Sequence, residues 1–249
     1  MLHESLIIIF SALAVGSLVK GISGLGLPLI AIPVMASFMD IDRAVAIMII
    51  PGVFLNMWLI WTYRKYAVRI KNFQLVCSAG VIGVICGSLV LTTVAPSYLL
   101  LFLAIWLGGY LLSLFFKKKL LRSNSAGRHK MVIVVAIAGL IQGAVGTAGP
   151  ILAPFVHSLN LKQPQYVFVI SVLFQIFALT QFISFLFLGL INVERAYESF
   201  LACVPIIIFL PLAVRLSRFF SDRGFNFIII GLLILIEVRL IWRILSQGF

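Results

Sequence analysis

The chain has very little charge, and acidic residues are the scarcest of all. Only 10% of its 249 residues are charged, with seven Asp or Glu against nineteen Lys or Arg. So few carboxylates leave little material for an acid–base active site. The sequence motifs of zinc proteases, serine hydrolases and phosphate-binding loops are also missing. The sequence therefore predicts a protein that is not an enzyme and that has no cofactor.

Cysteines are few, and the alternation typical of membrane β-strands is absent. Cys77, Cys86 and Cys203 lie inside apolar segments and follow no metal-ligand or disulfide spacing. We interpret them as small buried hydrophobic residues and predict no metal site. A membrane barrel would alternate apolar and polar residues along short strands, and no such pattern occurs.

Long apolar segments fill most of the chain. Hydrophobic residues make up 63% of it, and the mean hydropathy of +1.20 lies far above the range of soluble domains. Several uncharged blocks reach the roughly 20 residues that a helix needs to cross a bilayer. The basic residues lie between these blocks, where they act as topology signals. We therefore predict a multi-pass helical protein whose partner is the lipid bilayer and not nucleic acid.

One glycine-rich segment occurs twice inside apolar runs. Residues 20–28 read KGISGLGLP, and residues 142–154 read QGAVGTAGPILAP. The copies align Gly21 with Gly143, Gly24 with Gly146, and Pro28 with Pro150. Glycine and proline at this density interrupt a helix. A helix broken at corresponding positions of two halves is typical of the binding site of a secondary transporter.

The repeat divides the chain into two homologous all-α halves. Each is predicted to open with a broken or re-entrant helix that three transmembrane helices follow. The first half covers 1–120, with a broken helix at 5–39 and helices at 44–63, 73–93 and 97–116. A basic cytoplasmic linker at 121–130 follows. The second half covers 131–249, with a broken helix at 131–157 and helices at 165–188, 199–214 and 224–244.

Two topologies are compatible with this plan. If each broken helix spans the membrane, the chain crosses eight times and the basic loop at 215–223 lies outside. If each is re-entrant, each half crosses three times and the second half is inverted. The basic loops at 64–71, 117–130 and 215–223 then lie inside, and the acidic connections at 40–42 and 194–198 lie outside. This agrees better with the positive-inside rule, so we favour inverted repeats.

The two breaks are the predicted binding site. Broken helices leave backbone groups that hydrocarbon cannot satisfy, and helix N-termini attract anions. The alternatives are that the glycines serve helix packing, that Lys20 extends to the interface, and that the amides bond neighbouring helices. The candidate contacts are Lys20, Ser23, Gly24, Gly26, Asn56, Gly146, Thr147, Gly149 and Gln175.

On residues 21–28 (GISGLGLP) and 143–154, the chain resembles the TauE/SafE family of sulfite exporters and toluene-sulfonate uptake permeases (TSUP). The resemblance implies a multi-pass carrier of the bacterial inner membrane. Its substrates would be small sulfur-containing anions such as sulfite, sulfoacetate, thiosulfate or organosulfonates. The second copy differs in carrying Ala148 at the position of Gly26, and Pro154 one residue earlier than Pro33.

The leading hypothesis is a secondary transporter that binds such an anion between the breaks and exposes it alternately to each side. The alternatives are an anion channel that uses the same loops as a filter, and a membrane scaffold without transport. Export of an anion is favoured by the membrane potential, whereas uptake needs a coupling ion. Coupling to protons or sodium, and a homodimer, are left open.

Overall fold

The computed structural model describes residues 2–23, 26–70, 72–115, 128–216 and 222–247, and within these ranges it contains helices and no strands. Five of its helical segments are long and apolar enough to cross a membrane. They are Ile41–Tyr66, Phe73–Thr93, Pro96–Leu114, Gln163–Phe187 and Val193–Ala213. The prediction of an all-helical protein with several candidate membrane spans is thus confirmed.

Twelve α-helices are present in the described ranges. They are α1 (Leu2–Ser23), α2 (Pro28–Ala36), α3 (Ile41–Ile47), α4 (Ile49–Tyr63), α5 (Phe73–Thr93), α6 (Pro96–Phe115), α7 (Arg128–Val145), α8 (Gly149–His157), α9 (Gln163–Phe187), α10 (Val193–Leu201), α11 (Cys203–Leu216) and α12 (Asp222–Gln247). A single 3-10 turn at Arg64–Tyr66 follows α4. Residues 121–127 of the predicted linker lie outside the described ranges, and its last three residues begin α7.

The predicted helix at 44–63 is divided at Met48 into α3 and α4. Pro51 has no amide hydrogen to donate to the carbonyl of Ile47 four residues earlier. The Ser199 hydroxyl replaces it, donating to the Ile47 oxygen at 2.8 Å and accepting from the Ile50 amide at 3.2 Å. Ser199 lies near the end of α10, so this short helix stabilises the kink between α3 and α4.

Helices α1 and α2 fold back on each other around the first break. A methyl group built on Gly16 would lie 3.3 Å from the Leu27 carbonyl oxygen and 3.6 Å from the Ala31 side chain. In a continuous helix, residues 16 and 31 would be about 22 Å apart. The chain therefore reverses direction between Ser23 and Pro28, which makes α1 and α2 a helical hairpin.

Glycines bring α5 and α7 into direct backbone contact. A methyl group built on Gly87 would lie 2.8 Å from the Ala144 nitrogen and 2.9 Å from the Gly143 Cα. One built on Gly143 would lie 2.6 Å from the Ser88 nitrogen. Small residues allow this close approach in membrane helices. Other extensive pairings are α1 with α11, α4 with α9, α1 with α2, α5 with α9, and α6 with α12.

Ion pairs collect at one face of the helical bundle. Arg195 pairs with Asp42 at 2.7 Å, and Arg43 forms a two-point ion pair with Glu198. Near the end of α12, Arg243 donates to the Met39 carbonyl at 2.8 Å. These contacts bring the start of α3, helix α10 and the end of α12 to a common surface, which we call the ion-paired face.

Candidate functional site

A cavity of about 40 Å³ lies where the two breaks approach each other. Gly26, Leu27 and Pro28 line it from the first break, and Gln142 and Gly146 line it from the second. This volume is well above the roughly 10–15 Å³ that a single water requires. Other lining residues come from the start of α4 and from the middle of α9. The cavity therefore has room for a compact solute between the two halves of the chain.

Gly146 is required by both its backbone conformation and its surroundings. Its φ of +73° lies in the left-handed region that favours glycine. A methyl group built on it would collide with the Ile32 side chain and lie 3.4 Å from Val45. The second break therefore packs directly against α2 and α3. At the first break, the only described residue that a methyl group on Gly26 would meet is Pro28, at 3.7 Å.

A pair of glutamines closes the second break, and we call Gln142 and Gln181 the glutamine pair. The Ala148 amide donates to Gln142 Oε1 at 3.2 Å, and Gln142 Nε2 donates to Gln181 Oε1 at 3.1 Å. Gln181 Nε2 donates in turn to the Gln142 carbonyl at 2.9 Å. Both side chains are at least nine-tenths buried and line the cavity. The break is thus bonded internally by side chains of α7 and α9.

The described part of the first break contains no comparable pair. Lys20, in the last turn of α1, is partly buried and lines the cavity. It forms no ion pair with any acidic residue in the described ranges. Asn56 of α4 also lines the cavity and is only 7% exposed, yet its amide bonds no other described residue. Polar groups near the first break thus remain available to a solute.

The structure separates the predicted site residues into two groups. Lys20, Gly26, Asn56 and Gly146 line the cavity. Three other predicted residues, Thr147, Gly149 and Gln175, do not line the cavity. Gly24 and the side chain of Ser23 are outside the described part of the chain. All nine residues stay predictions as contacts of a bound solute.

Gln175 and Gln181 lie on different faces of α9, because successive residues of a helix are rotated by about 100°. Phe174, Ala178 and Gln181 follow one another at helical spacing and share the face that lines the cavity. Gln175 is turned away from that face, and both of its amide atoms lack a hydrogen-bond partner. Gln181 was not among the predicted site residues, although its i, i+4, i+7 spacing with Phe174 and Ala178 was a usable signal.

The sulfite exporter TauE/SafE family model matches residues 8–240, nearly the whole chain. The chain belongs to the TauE/SafE family. The resemblance predicted from the glycine-rich segments is therefore confirmed, and with it a multi-pass membrane protein of the sulfite-exporter transporter class. A search of curated proteins and a search of solved structures each returned no match.

The cavity of this TauE/SafE protein has the chemistry of an anion site. Its polar groups include the Lys20 ammonium, the Asn56 amide and the glutamine pair. Among the described residues that line it, none is acidic. Ammonium and amide hydrogens can surround the oxygens of an oxyanion, and a positive charge in a low-dielectric site favours an anion over a neutral solute.

Proposed function

We propose that this TauE/SafE protein is a secondary transporter that binds a small sulfur-containing anion between its two breaks. The observation that carries the proposal is that both breaks line one cavity containing a lysine and amide donors but no described carboxylate. The anion is sulfite, sulfoacetate, thiosulfate or an organosulfonate. Alternating access then exposes it to the two sides of a bacterial inner membrane in turn.

Inverted repeats supply the route to alternating access in this proposal. If α7 corresponds to α1 and α11 to α5, the α5–α7 packing in one half is matched by the α1–α11 packing in the other. Helix α4 packs on its counterpart α9, and α6 packs on α12. Such reciprocal pairing is the pattern that a pseudo-twofold axis between the halves produces, and it supports the proposal.

The ion-paired face supports inversion over eight crossings. Eight crossings would put the connections at 40–42 and 194–198 on opposite sides of the membrane. Residues from these two connections are nevertheless ion-paired, Asp42 with Arg195 and Arg43 with Glu198. Inverted repeats put both connections outside, and the basic loops at 64–71 and 117–130 inside.

The proposed binding state is closed toward the outside. Val45 packs near Gly146 of the second break and lies about one helical turn beyond Asp42 of the ion-paired face. Met48 and Ile49, at the kink between α3 and α4, line the cavity. Opening to the outside would then require α3 to separate from α10.

Export of the anion is driven by the membrane potential, which supplies about 2.3 kcal/mol per charge per 100 mV.

Flux measurements on the purified chain in liposomes test the proposal. Radiolabelled sulfite, sulfoacetate and thiosulfate should each be assayed for saturation and for exchange against unlabelled anion. We expect saturable, exchangeable flux of at least one of them. Flux that does not saturate would identify an anion channel instead. Absence of flux for every anion would overturn the proposal.

A lysine variant tests the site itself. Lys20→Ala should raise KM at least tenfold, since a hydrogen bond to a charged group contributes about 1.5–3 kcal/mol. Lys65→Ala is the matched control, because Lys65 is exposed beyond α4 and does not line the cavity. An unchanged KM in Lys20→Ala would remove Lys20 from the anion site.

A further inference from the structure

We propose that Gln181, acting through Gln142, makes the two ends of the anion site different, so that the first break provides the contacts to the anion's charged oxygens. The second break is closed by the protein's own hydrogen bonds, and the charged oxygens of the anion are held at the first break. Gln181 is thus a positioning residue for the transported anion. This inference rests on the proposed transport function and deepens it.

The orientations of both amide groups follow from the hydrogen bonds themselves. A backbone amide can only donate, so the Ala148 amide requires the oxygen of Gln142 to face it. The NH₂ group of Gln142 then faces the oxygen of Gln181. The NH₂ group of Gln181 faces the carbonyls of Gln142 at 2.9 Å and Gly143 at 3.4 Å. Rotating either amide by 180° would set donor against donor or acceptor against acceptor.

This chain of bonds removes donors from the second break. The Ala148 amide, at the start of α8, is used by Gln142 and is not free for an anion. Both hydrogens of Gln181 Nε2 are used by carbonyl oxygens. One hydrogen of Gln142 Nε2 remains for a solute, whereas the unpaired Thr147 hydroxyl is buried outside the cavity lining. The neighbouring Thr147 carbonyl is itself bonded by Trp106 Nε1 at 3.2 Å, which further stabilises the break.

The first break has the opposite character. Lys20 stands at the position that aligns with Gln142, so a positive charge replaces an amide. The Asn56 side chain is more than nine-tenths buried, lines the cavity and bonds no other described residue. The amides of Gly26 and Leu27 donate to no described residue, and the same is true of the Thr147 and Gly149 amides at the second break, so the difference between the breaks lies in Lys20 and Asn56. The N-terminal end of α2, Lys20 and Asn56 therefore form the charged end of the site.

The inferred substrate is a compact oxyanion with acceptor atoms on two sides. One side contacts Lys20 and Asn56, and the other accepts the remaining hydrogen of Gln142. Without Gln181, the Gln142 amide keeps its bond from the Ala148 amide but loses the acceptor that holds one of its two Nε2 hydrogens. Binding of the anion should then weaken, while the rate of movement of the loaded protein changes less.

The test is a double-mutant cycle measured as sulfite flux in liposomes. Gln142→Met and Gln181→Met should each raise KM about tenfold, with less than a threefold change in maximal rate. Because Gln181 acts through Gln142, the double variant should have the KM of Gln142→Met alone. Thr180→Val is the matched control, because the Ile176 carbonyl of its own helix is the only described group that the Thr180 hydroxyl bonds. It should keep the wild-type KM.

Gln181→Glu provides a second variant should Gln181→Met fail to fold, as judged by thermal unfolding and gel filtration in detergent. It keeps the side-chain shape and adds a negative charge, so KM should rise more than tenfold. Wild-type KM in folded Gln181 variants, or additive increases in the double variant, would overturn the inference. Absence of saturable flux in the wild-type protein would instead overturn the transport proposal.

Discussion

Replacing Arg43 should destabilise the protein far more than replacing Arg195, although both arginines pair with carboxylates on the ion-paired face. Arg43 holds Glu198 at two points, and the Glu198 side chain is completely buried, with 0% exposed. Arg195 holds Asp42, whose side chain is 23% exposed. Arg43→Gln therefore leaves a buried carboxylate without its partner, whereas Arg195→Gln leaves one that water can reach.

The expected magnitudes follow from this difference in burial. Removing one partner of a buried ion pair costs about 3–5 kcal/mol, and an exposed pair contributes about 1 kcal/mol or less. For a chain of this size, 1 kcal/mol corresponds to roughly 2–4 °C in Tm. Arg43→Gln should thus lower Tm by about 6–20 °C, and Arg195→Gln by no more than about 2–4 °C.

Thermal unfolding of the detergent-purified variants measures both changes. The double variant Arg43→Gln/Glu198→Gln should recover most of the lost Tm, because replacing both ends of a buried pair is close to neutral. Glu194→Gln is a further control, since Glu194 pairs with the same arginine but is 55% exposed. Equal losses in Arg43→Gln and Arg195→Gln, or no recovery in the double variant, would refute the reasoning.

Two further substitutions test how the helices are held together, both by thermal unfolding. Gly143→Ala should lower stability by more than about 1–3 kcal/mol because its methyl group would lie 2.6 Å from a backbone nitrogen. In Gly109→Ala, the added methyl group has no described neighbour within 4 Å, so stability should be unchanged or higher by up to about 1 kcal/mol. A smaller loss of stability in Gly143→Ala than in Gly109→Ala would contradict the close packing of α5 and α7. Ser199→Ala should cost about 1–3 kcal/mol, because the Ile47 carbonyl opposite Pro51 loses its donor. Wild-type stability would mean that α10 does not support the kink.

Local chemistry made most of the helices predictable. The predicted helix at 73–93 coincides with α5, and the one at 165–188 lies within two residues of α9 at each end. Both are long apolar runs bounded by polar or turn residues. The two breaks were also predictable, because glycine and proline act within a few residues of their own position.

Contacts distant in sequence were not predictable. The helix predicted at 44–63 is kinked, and the kink depends on Ser199, about 150 residues later. The short helix α10 was missed because it is strongly amphipathic and charged, unlike the apolar runs around it. Its charges are satisfied by α3, a partner that no local pattern identifies.

The candidate site was predictable in outline but not in its individual contacts. Composition and the repeat identified Lys20, Asn56 and Gly146, which line the cavity. The choice between Gln175 and Gln181 required knowing which face of α9 meets the breaks. Both are amides in an apolar helix, so only the packing of α9 against α4 and α7 shows which of them faces the breaks.

The glycine-mediated contact between α5 and α7 determines which parts of the protein can move against each other. Each of these helices comes from a different half of the chain, and their main chains touch without intervening side chains. Sliding one past the other would require the backbones to separate first. In the proposed transport cycle, a rigid unit that contains α5 should therefore also contain α7, so the dividing surface between moving parts would not coincide with the boundary between the predicted repeats.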